Sequence, residues 1–362
     1  MISLVKLAKA LLLFAGVRIF VMGTFVAIAT WKGRSAHEIL SRWDAQWYRR
    51  IAEGGYGHVV IDYESRRLHD YAFFPLFPAL ERVFNFFTHL TAVDSGILIS
   101  CIASIFAAAG IYKIAEKLYG AKIGFISVLL WAIIPIGIVQ TISYSDSLFT
   151  ALAVWAFYAA LNSQWMLAGG IAFFAGLTRP VGIAVAAAIF VTALLASVKN
   201  YRNWVGAFVA PLGWLGYILY VAAKTHNLFG YFKTQSDWGN GFDGGVSFTR
   251  WIWKLLNSSN LLNGFAILIA ISALIYLLIL TYKEKQPLAL LIFTTILVFI
   301  SLTTAGAFGS KPRYLLPAFP LLFPLASRLS RRTTLFSFVV LLLFTLIASF
   351  YGAHWLLGSG PL

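Results

Sequence analysis

Long apolar runs alternate with short polar connections along almost the whole chain. A helix needs about 20 apolar residues to cross the hydrocarbon core of a bilayer. Runs of roughly that length predict about eleven spans, with three of them (147–161, 165–178 and 314–327) on the short side: 10–30, 95–112, 123–143, 147–161, 165–178, 181–198, 203–223, 259–281, 287–305, 314–327 and 334–353. We therefore expect an all-α, polytopic membrane protein that forms one integral membrane domain over residues 1–362.

Composition supports this prediction and excludes two other classes. The chain is 60% hydrophobic and 11% charged, whereas a soluble domain carries about 25% charged residues. The net charge of +15 would suggest nucleic acid on a soluble protein, but here the basic residues are scattered between apolar spans. Anionic membrane lipid is the partner that this pattern favours, and nucleic acid is not expected.

The distribution of Lys and Arg predicts which connections face the cytoplasm. If the N-terminus is cytoplasmic, the basic connections fall inside: 113–122, 199–202, 283–285 and 328–332. Only Glu116 and Glu284 of the 13 acidic residues are then cytoplasmic. The long segment 31–94, the turn Tyr144–Ser147 and the segment 224–257 lie outside, and so do Arg179 and 311–313. The apolar stretch 71–94 threatens this assignment, but two prolines and a Glu-Arg pair indicate an interfacial or re-entrant piece.

The richest polar segment is the first outer one. Asp44, Tyr48 and Ile51 recur at helical spacing, which predicts an amphipathic helix along the membrane surface that ends at Gly54-Gly55. Asp44 is either a first-turn acid paired with a nearby arginine or a general base that removes a hydroxyl proton. In the second case Trp43 and Trp47 would exclude water and offer a platform for a sugar ring.

Three further sites carry polar groups between apolar runs. Asp146 is either a helix N-cap or a ligand of the substrate, because an acid there is costly unless paired or at the water boundary. Tyr144 beside it is expected to contact the sugar or the acceptor. Arg179 is either a snorkelling arginine or a ligand of a lipid phosphate, whose oxygens match its planar fork. Arg313 and Tyr314 open a short apolar span and allow the same interpretation.

Other kinds of site find no support in the pattern. The segment 224–257 holds mixed polar residues among glycines. It could contact substrate, but this composition is also typical of a mobile loop, and we assign it no role. Histidines are scattered singly, so no metal site is expected, although a metal requirement stays open. The sequence contains no phosphate loop, dinucleotide fingerprint or nucleophile elbow.

Several of these motifs together resemble a known family. The chain contains SRWDAQWYRRIAEGGY at 41–56, FFPLFP at 73–78, YSDSLF at 144–149, GLTRPVG at 176–182 and PRYLLPAFPL at 312–321. In this order they resemble the PIG-V-type mannosyltransferases (GPI mannosyltransferase II and its bacterial relatives) of the GT-C glycosyltransferase superfamily. The family's cysteine-bearing luminal loop is not visible, which favours a prokaryotic member, in the cell membrane.

The resemblance implies a GT-C-like fold and a specific chemistry. It implies transfer of a sugar, mannose in this family, from a polyprenyl-phosphate donor to an acceptor hydroxyl, with inversion, at an extracytoplasmic active site. By position, Asp44 matches the family's base and Asp146 its second acidic motif. Arg179 matches the arginine after the fifth span, although Pro-Val follows it here in place of the usual polar pair. The acceptor could be a glycolipid, a glycan or a protein hydroxyl.

Two alternatives belong to other classes. A transporter or flippase of lipid-linked sugars could use the same arginines, but it needs ionisable groups at mid-membrane, and the spans hold almost none. A scaffold subunit would perform no chemistry and would be indifferent to loss of Asp44.

Overall fold

The chain is almost entirely helical. The computed structural model describes residues 2–62, 65–196, 200–305 and 311–358. In these ranges the α-helices are, in chain order, α1 (Ile2–Trp31), α2 (Ala36–Leu40), α3 (Asp44–Gly54), α4 (Leu76–Thr88), α5 (Ala92–Tyr119), α6 (Ala121–Ala132), α7 (Asp146–Leu161), α8 (Trp165–Gly176), α9 (Gly182–Ala196), α10 (Tyr201–Val209), α11 (Leu212–Thr225), α12 (Gly230–Asp237), α13 (Val246–Leu256), α14 (Leu261–Lys283), α15 (Leu288–Thr303), α16 (Lys311–Leu315), α17 (Leu322–Ser330) and α18 (Thr334–Leu357). Three short 3₁₀ turns lie at Asp70–Ala72, Gly137–Thr141 and Phe319–Leu321.

The apolar helices confirm the predicted polytopic membrane protein. Five helical segments in the described ranges are long and apolar enough to cross a bilayer: α1 from Leu4, α5, α10 with α11, α14 and α18. The shorter apolar helices α6, α7, α8, α9 and α15, together with the broken segment 314–327, correspond to the remaining predicted spans. Residues 197 and 198 of one predicted span, and Lys199 of the basic connection after it, lie outside the described residues.

Two of the predicted spans are interrupted by 3₁₀ turns, and a third, at 203–223, is divided between α10 and α11 at Pro211. In the span predicted at 123–143, α6 ends at Ala132 shortly before Pro135, and a 3₁₀ turn replaces the rest. In the span predicted at 314–327, α16 ends at Leu315 before Pro317, and the chain resumes as a 3₁₀ turn and α17. Proline breaks both helices because it lacks an N–H and clashes with the preceding turn. Both breaks lie next to the polar site described below.

The segment 31–94 contains the amphipathic helices expected of it. α3 covers the predicted stretch and is followed by Gly55 at φ 81°, a conformation that glycine adopts without strain. α4 has 13 residues, buries Phe77, Pro78 and Glu81, and packs on α3 and α5. The hairpin of β1 (Val59–Ile61) and β2 (Arg67–His69), with Val60 opposite Leu68, was not predicted.

The segment 224–257 is more ordered than its composition indicates. It folds into α12 and α13 rather than a mobile loop, and α12 contacts the first segment. Trp238 Nε1 donates to the carbonyl of His69 at 2.9 Å, and Gln235 Nε2 donates to the carbonyl of Ala72 at 3.2 Å. These contacts hold the two predicted outer segments together as one cap over the helices.

Small residues set the spacing of the helices beneath this cap. A Cβ added at Gly206 of α10 would lie 2.1 Å from the carbonyl oxygen of Trp165, and one added at Gly169 of α8 would lie 2.2 Å from that of Gly206. The backbones of α8 and α10 therefore touch, as at the small-residue interfaces of membrane helices.

One buried charge inside a span escaped the sequence prediction. Arg18 lies in α1, is 4% exposed and donates to the carbonyl oxygens of Ala132 and Gly137. It satisfies carbonyls that the end of α6 and the following turn leave without helical partners, which explains how the chain can break at this depth.

Candidate active site

A cavity of about 660 Å³ lies where the cap meets the helices. Its walls come from α3, the β1–β2 hairpin, the chain around Arg179, the end of α12 and α16. Among the residues predicted to carry chemistry, six line it: Trp43, Asp44, Trp47, Arg179, Arg313 and Tyr314. Two others, Asp146 and Tyr144, are fully buried directly behind this wall.

Two aspartates and two arginines form one ion cluster at the cavity. Arg313 Nη2 donates to Asp44 Oδ2 at 2.7 Å and to Asp146 Oδ2 at 3.0 Å. Arg179 Nη1 forms an ion pair with the other oxygen of Asp146, Oδ1. The four groups come from four separate parts of the chain. The fold therefore brings together the acids and arginines that the sequence analysis selected.

The two acids differ in their access to the cavity. The Asp146 side chain has no exposed surface, and each of its oxygens faces an arginine. The Asp44 side chain is 20% exposed and lines the cavity. Only Asp44 is thus placed to touch a substrate, and the position of Asp146 suits a counter-ion that holds both arginines.

Local backbone structure places both acids at helix starts. Asp44 is the first residue of α3 and follows Trp43, whose φ of 53° and ψ of −125° are rare for any residue but glycine. Asp146 is the first residue of α7, one residue after its N-cap Ser145. A carboxylate in the first turn is favoured by the helix dipole. Asp146 thus lies one residue from the predicted N-cap position, and its side chain forms ion pairs with the two arginines.

Arg313 is held from three directions. Besides the two carboxylates, its guanidinium lies over the ring of Tyr144 at 4.5 Å from the centroid. Burial alone would lower the pKa of Arg313, but the carboxylates of Asp146 and Asp44 raise it well above its ordinary value. The guanidinium is therefore a permanent, oriented cation. Tyr144, which was predicted to contact sugar, does not line the cavity and packs beneath this cation instead.

Sequence reasoning did not select Tyr48, Arg50 and Lys311 as site residues, although all three line the cavity. Tyr48 is four residues after Asp44 on α3, and its hydroxyl hydrogen-bonds Ser145 Oγ at 2.7 Å, which ties α3 to the start of α7. Lys311 lines the cavity and donates to the carbonyls of Ser301 and Thr304, at 3.2 and 2.6 Å. Burial lowers the pKa of Lys311 to about 8, partly offset by Asp243. The i, i+4 spacing of Asp44 and Tyr48 could have indicated that Tyr48 lies beside Asp44. Nothing in the sequence except its charge marks Lys311 as a site residue.

An aromatic cluster closes the cavity on the side of α3. Trp47 stacks on Phe73 at 5.8 Å between ring centroids and meets the edge of Trp238 at 5.0 Å. The guanidinium of Arg50 lies 5.2 Å from the centroid of the Trp47 ring. Trp47 is 8% exposed, so this ring offers little free face to a sugar, whereas the more exposed Trp43 still borders the cavity.

The acids do not form a ready metal site. No group of three or more His, Cys, Asp or Glu side chains with suitable spacing occurs in the described part of the chain. The two facing oxygens, Asp44 Oδ2 and Asp146 Oδ2, share Arg313. A divalent ion between them would have to displace that guanidinium, so the donor set present does not fit a metal.

Comparison with known proteins gives a partial family match and a fold. The model of the dolichyl-phosphate-mannose-protein mannosyltransferase family matches residues 75–225, less than half of the chain. A comparison with curated proteins gave no match.

Solved structures match over most of the chain. ArnT from Cupriavidus metallidurans, bound to undecaprenyl phosphate, is similar with a TM-score of 0.50 and 17% identity over 86% of this chain and 63% of that one. The archaeal oligosaccharyltransferase AglB from Archaeoglobus fulgidus, in complex with an inhibitory peptide and a dolichol-phosphate, gives a TM-score of 0.51 and 12% identity over 99% of this chain and 56% of that one. The chain thus spans about six-tenths of the length of these structures. The chain has the same helical membrane fold as these structures, in agreement with the GT-C-like fold predicted from the sequence.

Proposed function

We propose that this protein is a membrane glycosyltransferase that moves a sugar from a polyprenyl-phosphate donor to an acceptor hydroxyl, with inversion, on the extracytoplasmic side. The observation that carries the proposal is a cavity-facing carboxylate, Asp44, joined to oriented buried arginines in a GT-C fold. The matched family, named for a dolichyl-phosphate-mannose donor, supports mannose as the sugar. So does the PIG-V-type resemblance. The lipid phosphates bound to ArnT and AglB support the donor class.

The donor phosphate is assigned to Arg179, Arg313 and Tyr314. A guanidinium has five N–H donors, so Arg313 can remain bound to Asp146 while other N–H groups turn to a phosphate oxygen. Asp44 and the phosphate compete for Arg313. Donor binding therefore loosens the Asp44–Arg313 contact and frees Asp44 Oδ2 for the acceptor hydroxyl.

The transfer itself needs one base and a stabilised leaving group. The acceptor oxygen attacks C1 of the sugar and a new C–O bond forms there. The bond from C1 to the phosphate oxygen breaks, its electron pair stays on the lipid phosphate, and Asp44 takes the hydroxyl proton. Arg313 and Arg179 offset the added charge on the phosphate, which is an electrostatic contribution to the transition state.

Other predicted residues surround this reaction. Trp43 borders the cavity beside Asp44 and is assigned to contact the sugar, with the edge of Trp47 behind it. We assign Tyr144 to the positioning of Arg313 and Asp146 to the positioning of both arginines. No step requires a nucleotide or a covalent sugar–enzyme intermediate.

A donor panel tests the proposal. The protein, reconstituted in lipid nanodiscs, is offered polyprenyl phosphates that carry mannose, glucose, galactose or a pentose, and release of polyprenyl phosphate is measured by mass spectrometry. We expect turnover of one donor, mannose first, and a product of inverted anomeric configuration by NMR. If lipid-linked sugar moves between the leaflets of vesicles that contain the protein while no donor is cleaved, the protein is a flippase and the proposal is wrong.

A further inference from the structure

One cavity arginine differs from the others in its partners. Arg179 and Arg313 are bound by Asp146 and Asp44, and Arg66 pairs with Asp62 at 2.7 Å. Arg50 also lines the cavity, yet no carboxylate of the described residues lies within ion-pair distance of it. Its guanidinium rests on the Trp47 ring instead. Among the described residues, this cavity cation has no carboxylate partner.

The position of Arg50 separates it from the ion cluster. Asp44, Trp47 and Arg50 occur at positions i, i+3 and i+6 of α3, and all three line the cavity. With a rise of 1.5 Å per residue, Arg50 begins about 9 Å along the helix from Asp44. A substrate that presents its hydroxyl to Asp44 can thus reach Arg50 with a group further along the same molecule.

The surroundings of Arg50 suit recognition of an anion. The contact with the Trp47 ring, 5.2 Å from its centroid, restrains the guanidinium, whose fork matches the two oxygens of a carboxylate or a phosphate. The cavity wall also carries two amide side chains, Gln46 one turn before Arg50 on α3 and Asn240 after α12, and amide N–H groups can donate to the oxygens of an anion. The donor's single phosphate already has its cations in Arg179 and Arg313.

We propose that Arg50 binds an anionic group, a phosphate or a carboxylate, on the acceptor, and so selects acidic acceptors over neutral ones. The identity of the ligand as an acceptor rests on the proposed function; the anion site itself does not. The anion is expected at a distance from the attacked hydroxyl that matches the spacing of Arg50 and Asp44 along α3.

Binding of matched glycosides tests this site without any transfer. Methyl mannoside and methyl mannoside 6-phosphate are titrated into the protein in neutral-lipid nanodiscs by calorimetry, for the wild type, Arg50→Ala, Arg50→Lys and the control Arg67→Ala. Arg67 is an exposed strand residue outside the cavity, so its loss changes surface charge alone. We expect the wild type and the control to bind the phosphorylated glycoside roughly 10- to 100-fold more tightly. Arg50→Ala removes this difference, and Arg50→Lys keeps part of it because Lys is a point charge without the fork.

Further measurements identify the source of the anion and separate the anion site from the proposed glycosyltransferase activity. If Arg50→Ala weakens binding of polyprenyl phosphate as much as Arg179→Ala does, Arg50 belongs to the donor site and the inference is wrong. Equal affinity of the wild type for the two glycosides also overturns it, and so does loss of the phosphate preference when anionic lipid replaces neutral lipid. A preserved preference in a protein that cleaves no donor would contradict the proposed function and leave the anion site standing.

Discussion

Asp44 and Asp146 accept hydrogen bonds from the same nitrogen of Arg313, at 2.7 and 3.0 Å, although they begin two different helices. The two acids share this nitrogen but differ in their exposure to the cavity. Asp146 is sealed behind the wall and neutralises both arginines, while Asp44 faces the cavity. Replacement of Asp44 should therefore lower the activity, whereas replacement of Asp146 should lower the stability of the fold.

Replacement of Asp44 by Asn should remove transfer and leave the fold intact. Asn keeps the size and can still accept from Arg313, but it cannot take the acceptor proton, so turnover should fall by roughly 10²–10⁴-fold. Donor turnover and thermal unfolding in detergent are measured together. Glu53→Gln, an exposed acid on the same helix, is the matched control and should match the wild type. Wild-type turnover of the Asp44→Asn protein would exclude Asp44 as the base.

Replacement of Asp146 by Asn should destabilise the protein. It leaves Arg179 and Arg313, which are 8% and 5% exposed, without their shared counter-ion. Breaking a buried ion pair on one side costs about 3–5 kcal/mol. The unfolding temperature and the folded yield after extraction report this loss. The double variant Asp146→Asn, Arg179→Gln removes one stranded charge and should recover part of the stability. A stable but inactive Asp146→Asn protein would instead indicate a catalytic role.

Donor binding should weaken as the pH rises through about 8. Burial lowers the pKa of Lys311 to about 8, so above that pH the cavity loses a positive charge that attracts the anionic donor without binding its phosphate directly. The KM for donor should rise there in the wild type and stay flat in Lys311→Arg, which keeps its charge. If the KM for donor rises in the same way in Lys311→Arg, the pH dependence belongs to a group other than Lys311.

The shifted pKa of Lys311 also has a consequence for stability, with the opposite sign. An unfolded lysine titrates near 10.5, so between pH 8 and 10.5 the unfolded chain binds more protons than the folded one. The contribution of Lys311 to the free energy of unfolding therefore increases with pH across this window. Unfolding midpoints of the wild type and Lys311→Arg over the same pH series check the sign.

Alanine at Gly206 should loosen the contact between α8 and α10. Its Cβ would lie 2.1 Å from the carbonyl oxygen of Trp165, a backbone atom that cannot rotate away. Overpacking of this kind costs about 1–3 kcal/mol. Gly170→Ala on α8 is the control, because nothing lies within 4 Å of the added atom. Equal unfolding temperatures for the two variants would contradict the close approach of the helices.

Most of the fold could be predicted because apolar runs are a local signal. The runs located the spans, and helical periodicity located α3. The breaks after Ala132 and Leu315 were missed even though Pro135 and Pro317 are visible in the sequence, since hydropathy alone does not register a lost hydrogen bond. The hairpin was missed because strands of three residues carry no pattern.

The four residues of the ion cluster could be predicted from the sequence, but their pairing could not. Asp44, Asp146, Arg179 and Arg313 stand out as charges beside apolar runs. Which acid meets which arginine depends on helix packing between distant parts of the chain, and no local pattern encodes it. Arg50 and Lys311 were passed over because, in a basic chain, a single cation has no distinguishing neighbour until the cavity is known.

The ion cluster joins Asp44, near the beginning, to Arg313, which is made after most of the helices. During synthesis the partner that Asp44 has in the folded chain does not exist until Arg313 is made. The cluster is therefore completed late in synthesis, and cross-linking between positions 44 and 313 would report when its first and last members have met.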